Sequence, residues 1–598
     1  MCLFYYYGKE SIINDFNENI DNYKTIRFHN NKIIEENFFL IDSNNLNKID
    51  SHMYGYTVSK EGILTDNFYK KIGYYKQPEP QGVYIMIRKH GNEIRIDQDF
   101  NGCFGLYIYE NKDTKYFALS NSFLLLEEYL IGKQNISLNR DFINNFIVTN
   151  SSSPSIFETM IKEIIKISPN SFILINIEKK SFKIYYINYN ENTIPYDSNE
   201  GLKIIDEWID KWGYILRSLK NKTDNFYTSL SGDYNTRITL SILLNSGIDI
   251  TKILIKSSRE DKNNNEEDLK IANNISETFG IKLNNLQLDE DETKWSLNNS
   301  IFCILYSKLG FTKNYYQNNG FYNKPRFYFN GIGGEIIRGF PHYNIKTCIE
   351  KLCSLDSLNI NNDKDFYSSS LRLCNRSINM LKRKKPFIDD YELSTLFYYN
   401  GIIRNNFCKI GIEKFLSNIY SLQPLLDPDI KKIKFDLNKT YPHDLLAYLF
   451  IRFSSVLIHF PFQGNRTIDD ESIKRAEKLN KNLPIYKIKS DLNINFFIDY
   501  DRKTPVPHSN DNIEYKNNFK NIFKSSKFSE FFYKVNKKII HRGKKDSLEK
   551  TIKADLRQKY IFLETAIAIE LENLKKMKQI FLNKSFEFGK NILNYLFN

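Results

Sequence analysis

Residues 224–248, DNFYTSLSGDYNTRITLSILLNSGI, constrain this chain more than any other stretch. An apolar run, Phe226–Leu230, meets a polar loop, Ser231-Gly232-Asp233-Tyr234-Asn235-Thr236; an amphipathic run, Arg237–Leu244, then stops at Asn245-Ser246-Gly247. That order predicts strand, tight loop, helix and glycine stop. A second strand, Lys252–Lys256, follows at once, so the unit is βαβ and its sheet is parallel. The loop opens onto a helix N-terminus, where free backbone N–H groups and the helix dipole favour an anion such as a phosphate. Gly232 lets the backbone approach closely, and Ser231 and Thr236 add hydroxyl donors.

The segment SGDYNTR (231–237) resembles the pyrophosphate loop of asparagine synthetase-like ATP pyrophosphatases, which usually reads SGG-x-DS, often followed by Arg. Ser231, Gly232 and Arg237 match, and Thr236 is a conservative exchange. Asp233 stands where the family has its second glycine, and Asn235 where it has the aspartate used at magnesium. Further segments follow in the family's order. Asp268-x-x-x-Ala272 resembles the D/E-x-x-x-A helix after the second strand. Gly331-x-Gly333-Gly334-Glu335 is similar to the second nucleotide loop, whose acidic residue helps hold magnesium, and Arg338-Gly339 match a variant of it. Pro424–Asp427 resembles the P-F-L-D element, with Tyr420 and Leu422 in place of the family's Glu and Arg. Asp501–Pro507 resembles, with altered spacing, the segment that carries a catalytic lysine, here Lys503.

The front of the chain carries a second resemblance. Cys2 follows Met1, and residues 99–126 are similar to a block of class II glutamine amidotransferases at Asp99, Gly102, Leu106, Tyr107, Phe117, Ala118 and Ser120. The resemblance implies an N-terminal-nucleophile hydrolase fold, two packed sheets between helix layers. In active members, removal of Met exposes a cysteine whose thiolate attacks the glutamine amide while its own amino group acts as base. Here Leu3 stands where a small residue is usual, the R-x-R-G clamp and N-G-E segment have no clear counterpart, and Arg27 is a lone candidate clamp. A scaffold without glutaminase activity, as in the related β-lactam synthetases and lasso-peptide cyclases, is the expectation that fits these departures.

At 598 residues and 41% hydrophobic composition, the chain should hold two or more globular domains. Its longest apolar candidates, such as Leu445–Phe462, are broken by Arg452 and His459. The N-terminus has neither a basic start nor a long apolar stretch, so a cytoplasmic protein without a membrane segment is expected. The seven cysteines are scattered without a C-x-x-C, and the eight histidines form no H-x-x-x-H, which argues against a disulfide framework or a zinc site. The net charge of +13 follows lysine-rich usage and gathers in 534–550 and 574–579. No RNP, KH or zinc-finger signature accompanies it, which argues against nucleic acid.

The expected organisation is an α/β and α+β chain. Residues 1–190 form a degenerate amidotransferase-like αββα sandwich, with strands at Gly82–Arg88, Ile94–Asp97, Leu106–Tyr109, Phe172–Ile177 and Phe182–Tyr189. Residues 191–221 are a linker and the helix Leu202–Asn221; residues 222–510 are a parallel-sheet, adenine nucleotide α-hydrolase-like synthetase domain; residues 511–598 are a helical extension. The resemblance implies ATP and Mg2+ as cofactors and an amide-forming reaction through an acyl-adenylate. The partners would be a small-molecule or peptide carboxylate and an amine, with glutamine as nitrogen donor if Cys2 is active. ATP would lie on Ser231, Gly232, Asp233, Asn235, Thr236, Arg237, Gly331, Gly333 and Gly334. Glu335 and Asp233 would hold magnesium, and Lys503 would stabilise the transition state. Residue-level alternatives are an ion pair between Glu335 and Arg338, a helix-anchoring Arg237 and a helix-bracing Asp427. Two functional alternatives stand beside this one: an inactive relative that serves as a binding module, and a peptide macrolactam cyclase.

Overall fold

The computed structural model describes residues 38–498 apart from isolated positions and the segments 143–154, 188–193, 258–265, 284–323, 336–344, 354–363, 435–442 and 487–495. Cys2, Arg27, Arg338, Gly339, Lys503 and the expected extension 511–598 lie outside the described residues.

Alternating apolar residues build the front half as strands. Four of them, β1 (Leu40–Asp42), β6 (Tyr107–Asn111), β7 (Tyr116–Ser120) and β8 (Ile164–Lys166), form an antiparallel sheet in the order β1-β7-β6-β8. A second sheet joins β2 (His52–Ser59), β3 (Gly62–Leu64), β4 (Gly82–His90), β5 (Glu93–Gln98), β9 (Ser171–Asn176) and β10 (Ser181–Tyr186) in the order β10-β9-β5-β4-β2-β3. Its last neighbour comes from far along the chain: β17 (Phe497–Ile498) pairs parallel with β3, across the boundary expected near residue 190. The β5 residues Ile94 and Ile96 are buried, as are Ile173 and Ile175 of β9, and both sheets feed one hydrophobic core.

The connecting helix α1 (Asn199–Lys220) starts three residues before its expected position, because Ser198 Oγ accepts the Gly201 N–H and caps it. Leu202, Ile205, Trp208, Ile209, Trp212, Ile215 and Leu219 recur at helical spacing and are buried. The polar turn before it makes a short parallel pair, β11 (Ile194–Pro195) with β16 (Ile433–Lys434).

The βαβ unit forms where the sequence places it. Strand β12 (Phe226–Ser229) leads through helix α2 (Tyr234–Leu244) to β13 (Leu254–Lys256), parallel to it. Helix α3 (Glu266–Phe279) follows, and β14 (Arg326–Phe329) and β15 (Ile419–Leu422) complete an all-parallel sheet in the order β13-β12-β14-β15. The chain thus leaves β12 on one side and returns on the other. The gap between β12 and β14 is a topological switch point, where open α/β sheets place ligands beyond the carboxyl ends of their strands. The whole is a mixed α/β architecture with antiparallel and parallel sheets.

The front half docks on β15 and the turn after it. Tyr56 Oη donates to Ser421 O and accepts the Ser421 N–H, at 2.9 and 2.7 Å. Gln81 Nε2 donates to Gln423 O, and Asn101 Nδ2 to Leu426 O. In the turn itself, Asp427 is fully buried and braces α1: Trp212 Nε1 and Lys211 Nζ each reach its carboxylate at 2.8 Å.

Candidate functional site

The loops after β12 and β14 meet at the switch point. Asn235 Nδ2 donates to Glu335 Oε1 at 3.0 Å, although 100 residues separate them in sequence. Asn235 Oδ1 is buried and has no hydrogen-bond partner among the described residues. The loop glycines are fixed by this close approach. A Cβ on Gly331 would stand 2.6 Å from the Asn235 carbonyl, and one on Gly334 2.3 Å from Asn235 Oδ1. Gly333, at φ +96°, turns against Leu426, where a Cβ would come within 2.3 Å.

The first loop is held from within. Thr236 Oγ1 accepts the Ser231 N–H at 3.1 Å, and Ser231 Oγ accepts the Asp233 N–H. The Gly232 N–H, a donor expected for phosphate, is given to Asp268 Oδ1 at 3.0 Å. Burial raises the Asp268 carboxyl above its usual range, the Gly232 N–H opposes that, and Asp233 and Glu267 add to it. A cover segment completes the wall: Gln463 N–H donates to Gly232 O, Gly464 N–H to Glu267 Oε1, and Phe462 stacks on Tyr234 with ring centroids 4.1 Å apart.

Two of the candidate residues have partners of their own in the fold. Arg237 does not face the loop. Its guanidinium is fully buried, donates to the carbonyls of Leu457, Phe460 and Pro461, and lies 3.7 Å from the Phe462 ring centroid. Burial lowers it to about 9, so it stays cationic at neutral pH as the anchor of α2. Asp233 takes the N-cap position of α2 without a side-chain cap bond, and its carboxylate faces Arg466 at 3.6 Å. The residue joined to Glu335 is Asn235. Among the described residues no three His, Cys, Asp or Glu side chains gather into a metal site. The orphaned Asn235 Oδ1 beside Glu335 fits one or two hard oxygen contacts to magnesium, an ion that takes its remaining ligands from phosphates and water.

The sequence did not signal Asp268 as a partner of Gly232, nor Gln463 and Arg466 as its cover. The Asp268 motif places a carboxylate at a helix start, but nothing local says which N–H it reaches. In the front half, Asp99 folds its own loop, accepting the N–H groups of Asn101, Cys103 and Tyr84. Scanned against protein-family models the chain matches none, and a search of curated proteins likewise finds no match.

Proposed function

We propose that the chain is an ATP-dependent ligase that joins a carboxylate to an amine through an acyl-adenylate. One observation carries this reading: two glycine-bearing loops converge at the switch point of a parallel sheet, with Asn235 Nδ2 on Glu335 Oε1 between them. In this reading the back half is an adenine nucleotide α-hydrolase-like domain and the front half a degenerate N-terminal-nucleophile hydrolase scaffold.

A carboxylate oxygen attacks the α-phosphorus of ATP and pyrophosphate leaves. An amine nitrogen then attacks the acyl carbon, loses its proton, and expels AMP. Magnesium held by Glu335 and Asn235 would offset charge on the phosphates. The dipole of α2 and the Gly232 N–H would orient the phosphates once Asp268 yields its place on Gly232.

That same contact favours a second reading, a non-catalytic binding module. The loop donors are already satisfied, and Asp268 and Glu267 bring negative charge to the phosphate position. Calorimetric titration of Mg-ATP into the full chain separates the two. Micromolar binding that is lost in Glu335→Ala and Gly232→Trp supports the ligase reading. Absence of binding by the folded wild type overturns it.

A further inference from the structure

A second site lies at the junction of the two halves, away from the nucleotide loops. A cavity of about 100 Å³ opens there between Phe100, Pro169 and Asn170 of the front half and Thr395, Tyr399 and Lys431 of the back half. That volume holds several waters or one small organic molecule. Its walls are built in an unusual way. Tyr399 begins a ten-residue π-helical stretch, Tyr399–Cys408, a conformation rare in proteins and frequent at functional sites. Asn170 sits at φ +55°. Asn170 Oδ1 and Thr395 Oγ1 are buried without hydrogen-bond partners, so the wall carries polar capacity that the described residues leave unused.

The lysine is the telling part. Lys431 Nζ lies 3.5 Å from the Tyr399 ring centroid and 4.4 Å from that of Phe100, and it donates to Asn101 Oδ1. No carboxylate among the described residues stands within ion-pair distance of it. Crowding by protein pushes its amine well below the usual lysine range, and Cys103 and Asp99 oppose that only partly. An ammonium in such a place is stabilised most by an anion that enters beside it.

We propose that this cavity binds a small carboxylate, of acetate to alanine size, whose carboxyl group pairs with Lys431 while its apolar body lies against Phe100, Pro169 and Tyr399. The proposal is independent of the nucleotide reading, because the probes that test it contain no phosphate and are used without ATP. Acetate, L-alanine, acetamide and methylammonium are titrated into the full chain by calorimetry, with thermal melts alongside. Acetate or alanine should bind at about millimolar concentration or tighter and raise the melting temperature, with acetamide and methylammonium inert. Lys431→Met should weaken carboxylate binding at least about tenfold, the weight of one charge-assisted contact. Leu396→Phe, which fills the cavity from another wall and keeps the lysine, should abolish it. The proposal falls if acetamide binds as well as acetate, if either folded variant keeps the wild-type affinity, or if no carboxylate binds the wild type.

Discussion

Arg237, fully buried, and Lys431, half-buried, are both basic side chains set against aromatic rings, yet their surroundings differ. Arg237 spends its guanidinium on backbone carbonyls of 457, 460 and 461 and stacks on Phe462. Lys431 has one amide oxygen, two ring faces and an open volume beside it. A cation whose partners are all backbone holds the fold together. A lysine with no carboxylate partner among the described residues is the basis of the ligand proposed above. Lys211 supplies a third case, since burial lowers it but the carboxylates of Asp427 and Asp429 more than offset that.

Substitution with methionine, which keeps length and removes charge, breaks or sharpens the contrast. Lys211→Met takes the cation from the buried Asp427 carboxylate, leaving it the Trp212 and Asp429 N–H groups, and should cost about 3 kcal/mol in urea unfolding. Arg237→Met leaves three carbonyls short of a donor and should cost about 3 kcal/mol, with Arg237→Lys recovering only part. Equal stability of Arg237→Met and wild type would refute its anchoring role.

Asp99 tests the neighbourhood of Lys431 through pH. Burial pushes its carboxyl up to about 6, against the N–H groups of Cys103 and Tyr84 and the charge of Arg404. A carboxyl raised on folding contributes stability that is fully present below its unfolded value and lost as pH climbs through its folded one. Between about pH 4 and pH 6 the wild type should therefore lose about 2 kcal/mol relative to Asp99→Asn. Parallel slopes for the two proteins would remove Asp99 as the titrating group. The smallest effect has the opposite sign. Without ligand, Lys431→Met should leave stability unchanged or raise it by up to about 1 kcal/mol, and a loss comparable to that of Arg237→Met would erase the distinction.

The sequence made the local units readable and hid their meetings. Strand, loop, helix and glycine stop at 226–247 announce themselves by periodicity, and α1 by its spaced Trp208 and Trp212. The two glycine loops were legible as motifs, but the bond between Asn235 and Glu335 was not, because burial patterns report that a residue is inside and not what it faces. The inward turn of Arg237 was open for the same reason. Two-residue strands such as β11, β16 and β17 are too short to show any period. The junction cavity has no local signature, since Phe100, Thr395 and Lys431 come from three separate stretches of chain.

The pairing of β17 with β3 has a consequence for how the protein is made. During vectorial synthesis the front sheet emerges from the ribosome with β3 as an open edge, and Phe497 and Ile498 arrive only after the central sheet has been translated. Until then no other described strand pairs with that edge, and an uncovered strand edge is a template for a neighbouring chain. A nascent or prematurely terminated chain is thus the form most exposed to association with its own copies, and the late strand acts as the seal on an assembly begun much earlier.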